Sequence, residues 1–488
     1  MLTLSKSRYT LGCRCPRLLW LQFRRPEALP EDEDMKNRAE QGRQVGEIAR
    51  GLNGDYTLIP YSEDKTEMAA ETRALLERGE KNIAEASFIC EGLFCSVDLL
   101  ISHGGGSVTV IEVKSAAQPD RERWRQDVSF QSYVLRKLGY HVEKVYLAHV
   151  DSSYVRHGDI DLKAFFQLTD MTEETERAEA EVEEMIMRLR AEPETEPAPC
   201  LGEACNKCPA FGLCTDGLPR PNVFDLPGVG CNFGKKLAYY GQGLITLEQL
   251  DAAEKLGVRQ RRMIGGVLRG ETYVDARAVR DFTDTLGYPI YFLDFETCQF
   301  AVPRYDGSRP WQQIPFQYSL HWIGEEGGEL KHTEYLAAAG ADPRRELAER
   351  LCADIPEDVC VTAYHMDFEN ARLRELAELF PDLSGHLLNI VKNMRDLETP
   401  FAKQYVYLPA MMGSSSIKKV LPAICPDDPA LDYHSLEDVH CGTEASAAWI
   451  AMACMAPEEE KRLRANLLKY CGLDTLAMVK VWEYLKSI

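Results

Sequence analysis

The sequence has no long apolar run and no segment of the signal-peptide kind. Its 488 residues contain no stretch of about 18 consecutive apolar residues, which excludes an ordinary membrane-spanning helix. The N-terminal stretch is broken by charges and has no apolar core of the type used for secretion. Internal repeats and the nucleotide- or flavin-binding motifs of redox enzymes are also absent. These absences predict a cytoplasmic protein built from ordinary globular domains, with no membrane partner.

Basic residues are also fewer than acidic residues. The 56 lysine and arginine residues face 77 aspartate and glutamate residues, which gives a net charge of −21. A broad basic surface for nucleic acid is therefore not expected. Local basic runs remain at residues 14–25, 121–125, 235–236 and 259–269. A polyanionic partner would have to be held at such local runs, with multivalent cations offsetting the carboxylates.

Cysteines, by contrast, are abundant, and four of them stand in a distinctive arrangement. A reducing cytoplasm disfavours structural disulfides, and clustered cysteines there more often bind metal. Cys15 lies just before the predicted core of the first domain, and Cys205, Cys208 and Cys214 lie just beyond that core at close spacing. Four thiolates can ligate an iron–sulfur cluster or a tetrahedral zinc ion, and for zinc Cys200 offers a further local ligand.

The chain is too long for a single hydrophobic core, so two or three domains are expected. Its patterning separates residues 1–216, 217–285 and 286–488. The middle block is predicted to be helical, and its Leu226-Pro-Gly-Val-Gly230 segment resembles a helix-hairpin-helix turn; a plain helical linker fits equally well. The third block alternates strands and helices, from an apolar strand at Tyr288 to a closing helix. The predicted fold class is α/β, multidomain.

The first block carries a predicted β-hairpin. Residues 87–102 are expected to form one strand, 104–106 its glycine turn and 107–115 the returning strand. A helix around residues 124–138 and a strand at 144–149 follow.

Charged residues gather at one end of this hairpin. Asp98 lies on the first strand, and Glu112 and Lys114 lie on the second, where the period of two places them on one face. Two carboxylates can hold Mg²⁺, and a lysine can orient an attacking water. A solvated strand face would give a similar pattern, but the apolar residues 108–111 leading into it favour a site.

Asp98 followed by Glu112-x-Lys114 resembles the core of PD-(D/E)XK nucleases, which implies a restriction-endonuclease-like domain. In the following helix, Gln131 and Tyr133 resemble the helix motif of the RecB-like branch of that family. The resemblance implies that Asp98 and Glu112 are metal ligands, that Lys114 is catalytic, and that Gln131 and Tyr133 contact metal-bound water or the DNA strand.

One feature of the RecB-like branch is missing. Its members usually carry a histidine in the first helix, after a glycine, whereas here Gly42-Arg-Gln-Val-Gly46 contains none. Glu47 or Glu40 is the expected substitute, which leaves the metal preference of the site open.

The split cysteine arrangement resembles that of the iron–sulfur nucleases of CRISPR adaptation and of AddB-type repair nucleases. That resemblance implies a [4Fe–4S] cluster on Cys15, Cys205, Cys208 and Cys214, with the structural role of tying together the ends of the nuclease domain. Zinc remains the alternative at this point.

A second group of acidic residues lies in the third block. Asp294 and Glu296 end an apolar strand and share one face, so they could bind one or two divalent metals. Glu369 follows in Ala363-Tyr-His-Met-Asp-Phe-Glu369. Tyr470 and Asp474, four residues apart, occupy one face of the closing helix.

These three motifs, in this order, resemble those of DnaQ-like 3′–5′ exonucleases, which have an RNase H-like fold, in the variant that uses tyrosine. The resemblance implies that Asp294, Glu296, Glu369 and Asp474 ligate Mg²⁺ or Mn²⁺ and that Tyr470 orients the attacking water. Glu369 stands where the family has aspartate, with Asp367 in reserve.

Three further features accompany these motifs. Ser416 is a plausible N-cap, and Lys418 or Lys419 is either a phosphate contact or a solvated side chain. Asp396 is a possible support for the site.

Together the blocks resemble bacterial proteins that join a RecB-like iron–sulfur nuclease to a DnaQ-like exonuclease. The expected function is metal-dependent hydrolysis of phosphodiester bonds at two sites, with single-stranded DNA as partner and 3′–5′ exonuclease activity in the third block. Two alternatives stay open: a nucleic-acid-binding module in which one or both sites are degenerate, and an RNA-processing exonuclease.

Overall fold

The structure is a computed structural model that describes residues 4–30, 33–191, 195–226, 232–253, 256–426, 431 and 439–488. The chain forms two compact units, Met1–Thr215 with Phe300–Gln312, and Asp216–Gln299 with Gln313–Ile488. The first unit thus takes a short inserted segment, Phe300–Gln312, from far along the chain. Within the described ranges, no helix combines the length and apolarity needed to cross a membrane.

The first unit is built on a mixed sheet with strand order β2-β3-β4-β5-β6-β7, and β1 pairs with β4 in parallel. Its strands are β1 (Leu4–Ser5), β2 (Thr57–Leu58), β3 (Asn82–Cys90), β4 (Leu93–Gly104), β5 (Ser107–Lys114), β6 (His141–Val150) and β7 (Phe166–Asp170). Strands β3, β4 and β5 form an antiparallel meander, whereas β6 runs parallel to β5.

The first unit also contains helices, most of which pack on the sheet. They are α1 (Lys6–Arg14), α2 (Pro16–Arg24), α3 (Glu33–Ala49), α4 (Lys65–Glu77), α5 (Arg121–Lys137), α6 (Leu162–Phe165), α7 (Thr172–Arg177), α8 (Glu179–Arg190) and α9 (Phe211–Thr215). Helix α5 is the central one: Val128, Phe130 and Val134 are fully buried against the sheet core. The predicted helix around residues 124–138 and the predicted strand at 144–149 are confirmed as α5 and β6.

The predicted single strand at residues 87–102 is wrong, because a tight turn divides it. Cys90 pairs with Leu93, and the two residues between them, Glu91 and Gly92, have φ angles of 48° and 76°. Two successive positive φ angles are what a two-residue type I′ hairpin requires. Apolar residues continue on both sides of this turn, so the hydrophobic pattern concealed it. The turn at residues 104–106 is confirmed, since all three glycines have positive φ.

The second unit contains a five-stranded sheet of order β11-β10-β9-β12-β13 and a two-stranded pair, β14-β8. Its strands are β8 (Tyr273–Val274), β9 (Ile290–Cys298), β10 (Ile314–Ile323), β11 (Leu330–Leu336), β12 (Cys360–Ala363), β13 (Met394–Asp396) and β14 (Val406–Tyr407). The pairs β9–β10 and β10–β11 are antiparallel, whereas β12 is parallel to both β9 and β13.

The helices of this unit are α10 (Phe233–Gly241), α11 (Leu247–Ala252), α12 (Val258–Arg269), α13 (Ala276–Thr283), α14 (Arg344–Asp354), α15 (Asp367–Leu379), α16 (Ser384–Asn393), α17 (Thr399–Ala402), α18 (Ile417–Ile424), α19 (Gly442–Met452) and α20 (Pro457–Lys486). Helices α10 to α13 confirm the helical character predicted for residues 217–285. Of the predicted helix-hairpin-helix turn, residues 227–230 lie outside the described residues.

Strand β9 is buried on both faces. Its odd-numbered residues 291–295 belong to one apolar cluster, and Ile290 and Phe292 belong to another that includes side chains of α20. Asp294 and Glu296 continue the even-numbered series, so they share the face that α20 covers.

Candidate active sites

The first site lies where β4, β5 and α5 meet. Asp98 immediately precedes Leu99, which pairs with Ile111, and its Oδ2 accepts a hydrogen bond from the Val113 amide at 2.6 Å. Glu112, on β5, is buried. The structure thus brings Asp98 and Glu112 together, as the hairpin pattern indicated.

The Glu112 carboxylate accepts four hydrogen bonds. The Lys6 ammonium donates to Oε1 at 2.7 Å and to Oε2 at 2.8 Å. Lys114 donates to Oε1 at 2.9 Å, and the Gln131 amide donates to Oε2 at 2.7 Å. Lys114 also lies 3.3 Å from Asp127 Oδ2. Sequence reasoning found Lys114 and Gln131 but missed the roles of Lys6 and Asp127.

These contacts set the charges of the first site. Burial, and then the Glu112 charge, raises the pKa of Asp98 to about 7. Burial alone would raise the pKa of Glu112 as well, but the Lys114 and Lys6 ammonium groups outweigh it and lower that pKa to about 2. Near neutral pH, Glu112 is therefore ionised and paired with lysine, whereas burial favours the protonated form of Asp98.

A third acid, Glu85, faces the same group from β3. Glu85 and Asp98 are both left out of the β3–β4 ladder, and Glu85 has a φ of 57° in mid-strand. A left-handed glutamate inside a strand is strained and is common near functional sites. Burial raises the pKa of Glu85, and its charge contributes to raising that of Asp98. The sequence signal that could have identified Glu85 is its position as a lone charge within the mostly apolar β3.

The other expected members of the first site lie elsewhere. The Tyr133 hydroxyl donates to Glu183 at 3.2 Å, because residues two apart on a helix point in very different directions and Gln131 already faces Glu112. Glu40 is ion-paired with Arg43 at the surface, and Glu47 is exposed.

The four predicted cysteines lie together beside the ends of α2 and α9. Cys15 is the N-cap of α2, where its Sγ accepts from the Leu18 amide at 3.4 Å. Burial raises the pKa of Cys214, and the charges of Cys15, Cys205 and Cys208 raise it further, against the effect of Arg17. The alternative ligand Cys200 is exposed.

The second site lies between β9, the first turn of α15, and α20. Within the described part of the chain, one group of three or more acidic, cysteine or histidine side chains has ligand atoms within 4.8 Å of one another: Asp294, Glu296 and Cys471. Cys471 Sγ lies 3.9 Å from Asp294 Oδ2. Cys471 was missed because it adjoins Tyr470 in a motif that assigns it no role.

Burial and neighbouring acids raise the pKa of three carboxyl groups of the second site. Burial, followed by the charges of Asp474, Glu296 and Glu369, raises the pKa of Asp294 well above its usual range. Burial and the Asp474 charge raise that of Glu296 to about 8, although Lys418 opposes the shift. Burial likewise raises that of Glu369 to about 8, and its Oε2 has no hydrogen-bond partner among the described residues. Such a cluster fits an oxygen-preferring divalent cation.

Tyr470 and Lys418 border this cluster. Tyr470 is buried; burial, and then the charges of Asp474 and Glu296, raises its pKa, so the phenol keeps its proton. The Lys418 ammonium lies 5.8 Å from the centre of the Tyr470 ring. Lys419 is exposed, and Ser416 occupies the N-cap position of α18 without a side-chain capping bond among the described residues.

A polar network lies beside Glu369 at the end of β13. Asp396 accepts hydrogen bonds from the His365 and Glu398 amides, both at 2.9 Å, and its charge helps to raise the pKa of Glu369. His365 has a φ of 71° and contacts Glu398 Oε2 at 2.8 Å. Asp367, the reserve ligand, is exposed.

The fold and sites define an α/β multidomain protein with two buried acidic centres and a cysteine cluster. A protein-family model described as "Domain of unknown function (DUF2779)" matches residues 291–416, which include most of β9, Glu369 and Asp396 but not Tyr470 or Asp474. The chain is also similar to "Uncharacterized protein UU173" of Ureaplasma parvum serovar 3, with 34% identity over 237 residues. That match covers 43% of this chain and 33% of the relative, so the chain spans about a third of the relative's length.

Proposed function

We propose that the protein is a divalent-metal-dependent nuclease whose main catalytic centre is formed by Asp294, Glu296, Glu369 and Asp474. The observation that carries the proposal is a carboxylate cluster in which oxygens of Asp294 and Glu296 lie within 4.8 Å of each other and Glu369 keeps a buried oxygen with no hydrogen-bond partner among the described residues. Burial and neighbouring acids raise the pKa of all three carboxyl groups. Divalent cations stabilise such a cluster and are used widely in phosphodiester hydrolysis.

The topology of the second unit supports a DnaQ-like assignment. An antiparallel meander of three strands, β9 to β11, is extended by β12 and β13, which run parallel to β9. This arrangement suits an RNase H-like fold, and the acidic residues lie on its first strand and on the closing helix.

The residues of this centre have three roles in the proposed reaction: metal binding, positioning of water and compensation of phosphate charge. A bound divalent cation would supply Lewis acidity and lower the pKa of a water molecule. The four carboxylates would hold the cation, and Tyr470, protonated because of its raised pKa, would orient the attacking water by hydrogen bonding. Lys418, already close enough to lower the pKa of Glu296, is placed to offset phosphate charge.

For the first unit we propose a nuclease core of the PD-(D/E)XK type, with Asp98, Glu112 and Lys114 as its motif and Gln131 in support. As arranged, Glu112 does not fit a divalent cation, because its oxygens already accept four hydrogen bonds. That saturation favours the second candidate function for this unit, nucleic-acid binding without hydrolysis.

We further propose that Cys15, Cys205, Cys208 and Cys214 hold a [4Fe–4S] cluster with a structural role. The four thiols are close enough for the charges of Cys15, Cys205 and Cys208 to raise the pKa of Cys214, which supports a shared site, and four thiolates ligate such a cluster.

The experiment is degradation of end-labelled single-stranded DNA and RNA by anaerobically purified protein with Mg²⁺ or Mn²⁺. We expect Asp294→Asn to slow stepwise shortening from the 3′ end at least about 100-fold. Asp367→Asn is the matched control: it removes an exposed carboxylate from the same helix as Glu369 and should leave the rate unchanged. The relative rates on the two polymers distinguish deoxyribonuclease from RNA-processing activity.

Lys114→Met in the same assay tests the first unit. A product pattern that disappears with Lys114→Met and survives Asp294→Asn would assign hydrolysis to the first unit. If folded wild-type protein leaves both polymers intact with either metal, the nuclease proposal fails.

A further inference from the structure

Lys6 is fixed at the first site by the backbone. Strand β1 pairs in parallel with β4, with Leu4 opposite Leu93 and Ser5 opposite Phe94. Lys6 follows immediately as the first residue of α1, and the Ser5 side chain caps that helix. Its ammonium is thereby held near Asp98 and over Glu112.

The ammonium of Lys6 is surrounded as a bound cation would be. It donates to both oxygens of Glu112, at 2.7 and 2.8 Å. The charges of Asp98 and Asp127 also act on it from neighbouring elements. Convergence of several carboxylates on one positive charge is the usual environment of a divalent cation in a hydrolytic site.

We propose that Lys6 is a tethered cation that occupies the metal position of the first site, so that this site takes up a divalent ion only when the ammonium leaves Glu112. The inference rests on the proposed nuclease core of the first unit, whose metal loading it specifies. The two sites then differ in their binding of divalent metal. The second binds a divalent ion in the arrangement described, whereas the first binds one only after Lys6 has moved.

Lys6 and a divalent ion compete because the Glu112 carboxylate can accept only a limited number of contacts. Glu112 offers about four lone-pair positions, and Lys6, Lys114 and Gln131 use them all. A divalent ion bound to either oxygen must displace a donor. Lys114 has Asp127 as a second partner, whereas Lys6 bridges both Glu112 oxygens and blocks both approaches. An ammonium and a divalent ion on the same oxygens would also repel each other strongly.

The test is Mn²⁺ binding by full-length protein, followed through the electron paramagnetic resonance signal of free Mn²⁺. Mn²⁺ prefers oxygen ligands, so the cysteine cluster interferes little. Asp294→Asn serves as the parent variant, because it weakens binding at the second site. We expect Lys6→Met in this parent to add one Mn²⁺ per chain, with affinity at least about tenfold higher than the parent shows at the first site.

Two controls locate the effect. Lys144→Met removes an exposed lysine that is paired with Asp170, and should change nothing. Adding Glu112→Gln to the Lys6→Met variant should abolish the gain. Lys6→Gln removes the charge but can still donate a hydrogen bond to Glu112, so it replaces Lys6→Met should that variant not fold.

Equal Mn²⁺ binding with and without Lys6 overturns the inference, and so does a gain that survives Glu112→Gln. Both results are independent of catalysis. The nuclease proposal itself would fail in the degradation assay, so the two failures are distinguishable.

Discussion

Glu296 and Glu369 carry the clearest consequence at the scale of single residues. Burial, with neighbouring charges, raises the pKa of each to about 8 from an ordinary value of 4.5. An acid with a raised pKa in the folded state stabilises the fold fully below its unfolded pKa, and this contribution is lost as the pH rises through the folded value. We therefore expect the melting temperature of protein free of divalent metal to fall between about pH 5 and pH 9, and Mn²⁺ to restore it most strongly at the upper end.

Thermal unfolding of wild type and Glu296→Gln, with and without Mn²⁺, measures this effect. The variant should show a shallower fall with pH and a smaller response to Mn²⁺, because the amide cannot ionise. Asp367→Asn should behave as wild type. A wild-type melting temperature that is flat across this range would contradict the assigned electrostatics.

Some residues of the two sites could be predicted from the sequence and others could not, for physical reasons. Asp294 and Glu296 could be predicted, because two acids two residues apart at the end of an apolar strand must share a buried face. Lys6 could not be predicted, because it reaches Glu112 only through the pairing of β1 with β4, two segments remote from each other in sequence. A lysine at a helix start otherwise resembles any solvated side chain.

At the scale of elements, a single substitution in the turn should stabilise the β3–β4 hairpin. Glu91 adopts a φ of 48° at the first turn position, where type I′ turns favour asparagine before glycine. We expect Glu91→Asn to stabilise the protein by about 0.5–1 kcal/mol and to raise the melting temperature by about 1–3 °C. Glu63→Asn removes the same charge from an exposed position with ordinary φ and should be neutral. Equal effects of the two substitutions would show that charge, not turn geometry, is responsible.

The cysteine cluster is the second prediction at this scale, since it joins α2 to the segment that ends in α9. We expect anaerobically purified wild type to contain iron, and Cys208→Ser to lose it together with thermal stability. Cys200→Ser changes an exposed cysteine and should retain the iron. Stoichiometric zinc without iron in the wild type would overturn the assignment of the cluster.

Element boundaries show where patterning failed as a guide. Helix α5 and strand β6 were predicted because their apolar periodicity is uninterrupted along each element. The β3–β4 turn was missed because periodicity says little about two residues that reverse the chain, and the conformation of Glu91 is not encoded by its hydropathy. The inserted segment was missed because apolar character cannot reveal which of two cores a residue will enter.

At the scale of the whole molecule, the inserted segment is a stabilising part of the first unit. The Trp311 indole donates to the Ser115 carbonyl at 2.6 Å, and the Ala301 amide donates to Gln41 at 2.8 Å. We expect Trp311→Phe to lower the free energy of unfolding by about 1 kcal/mol or more, because it leaves the Ser115 carbonyl without this donor.

Trp20→Phe is the matched control, measured by the same chemical denaturation. The Trp20 indole nitrogen is buried with no hydrogen-bond partner among the described residues, so removing it forfeits no such bond. The Trp311 substitution should cost clearly more than the Trp20 substitution. Equal losses would mean that the hydrogen bond to Ser115 contributes nothing measurable.

The position of the inserted segment also determines when the first unit can be completed during synthesis on the ribosome. Residues 1–215 are synthesised first, yet Phe300–Gln312 reaches them only after residues 216–299 have been made. Until then, the nascent first unit leaves the partners of Ala301 and Trp311 facing water. A chain truncated between these points would have an incomplete first unit, and chaperones and proteases recognise such incompletely folded chains.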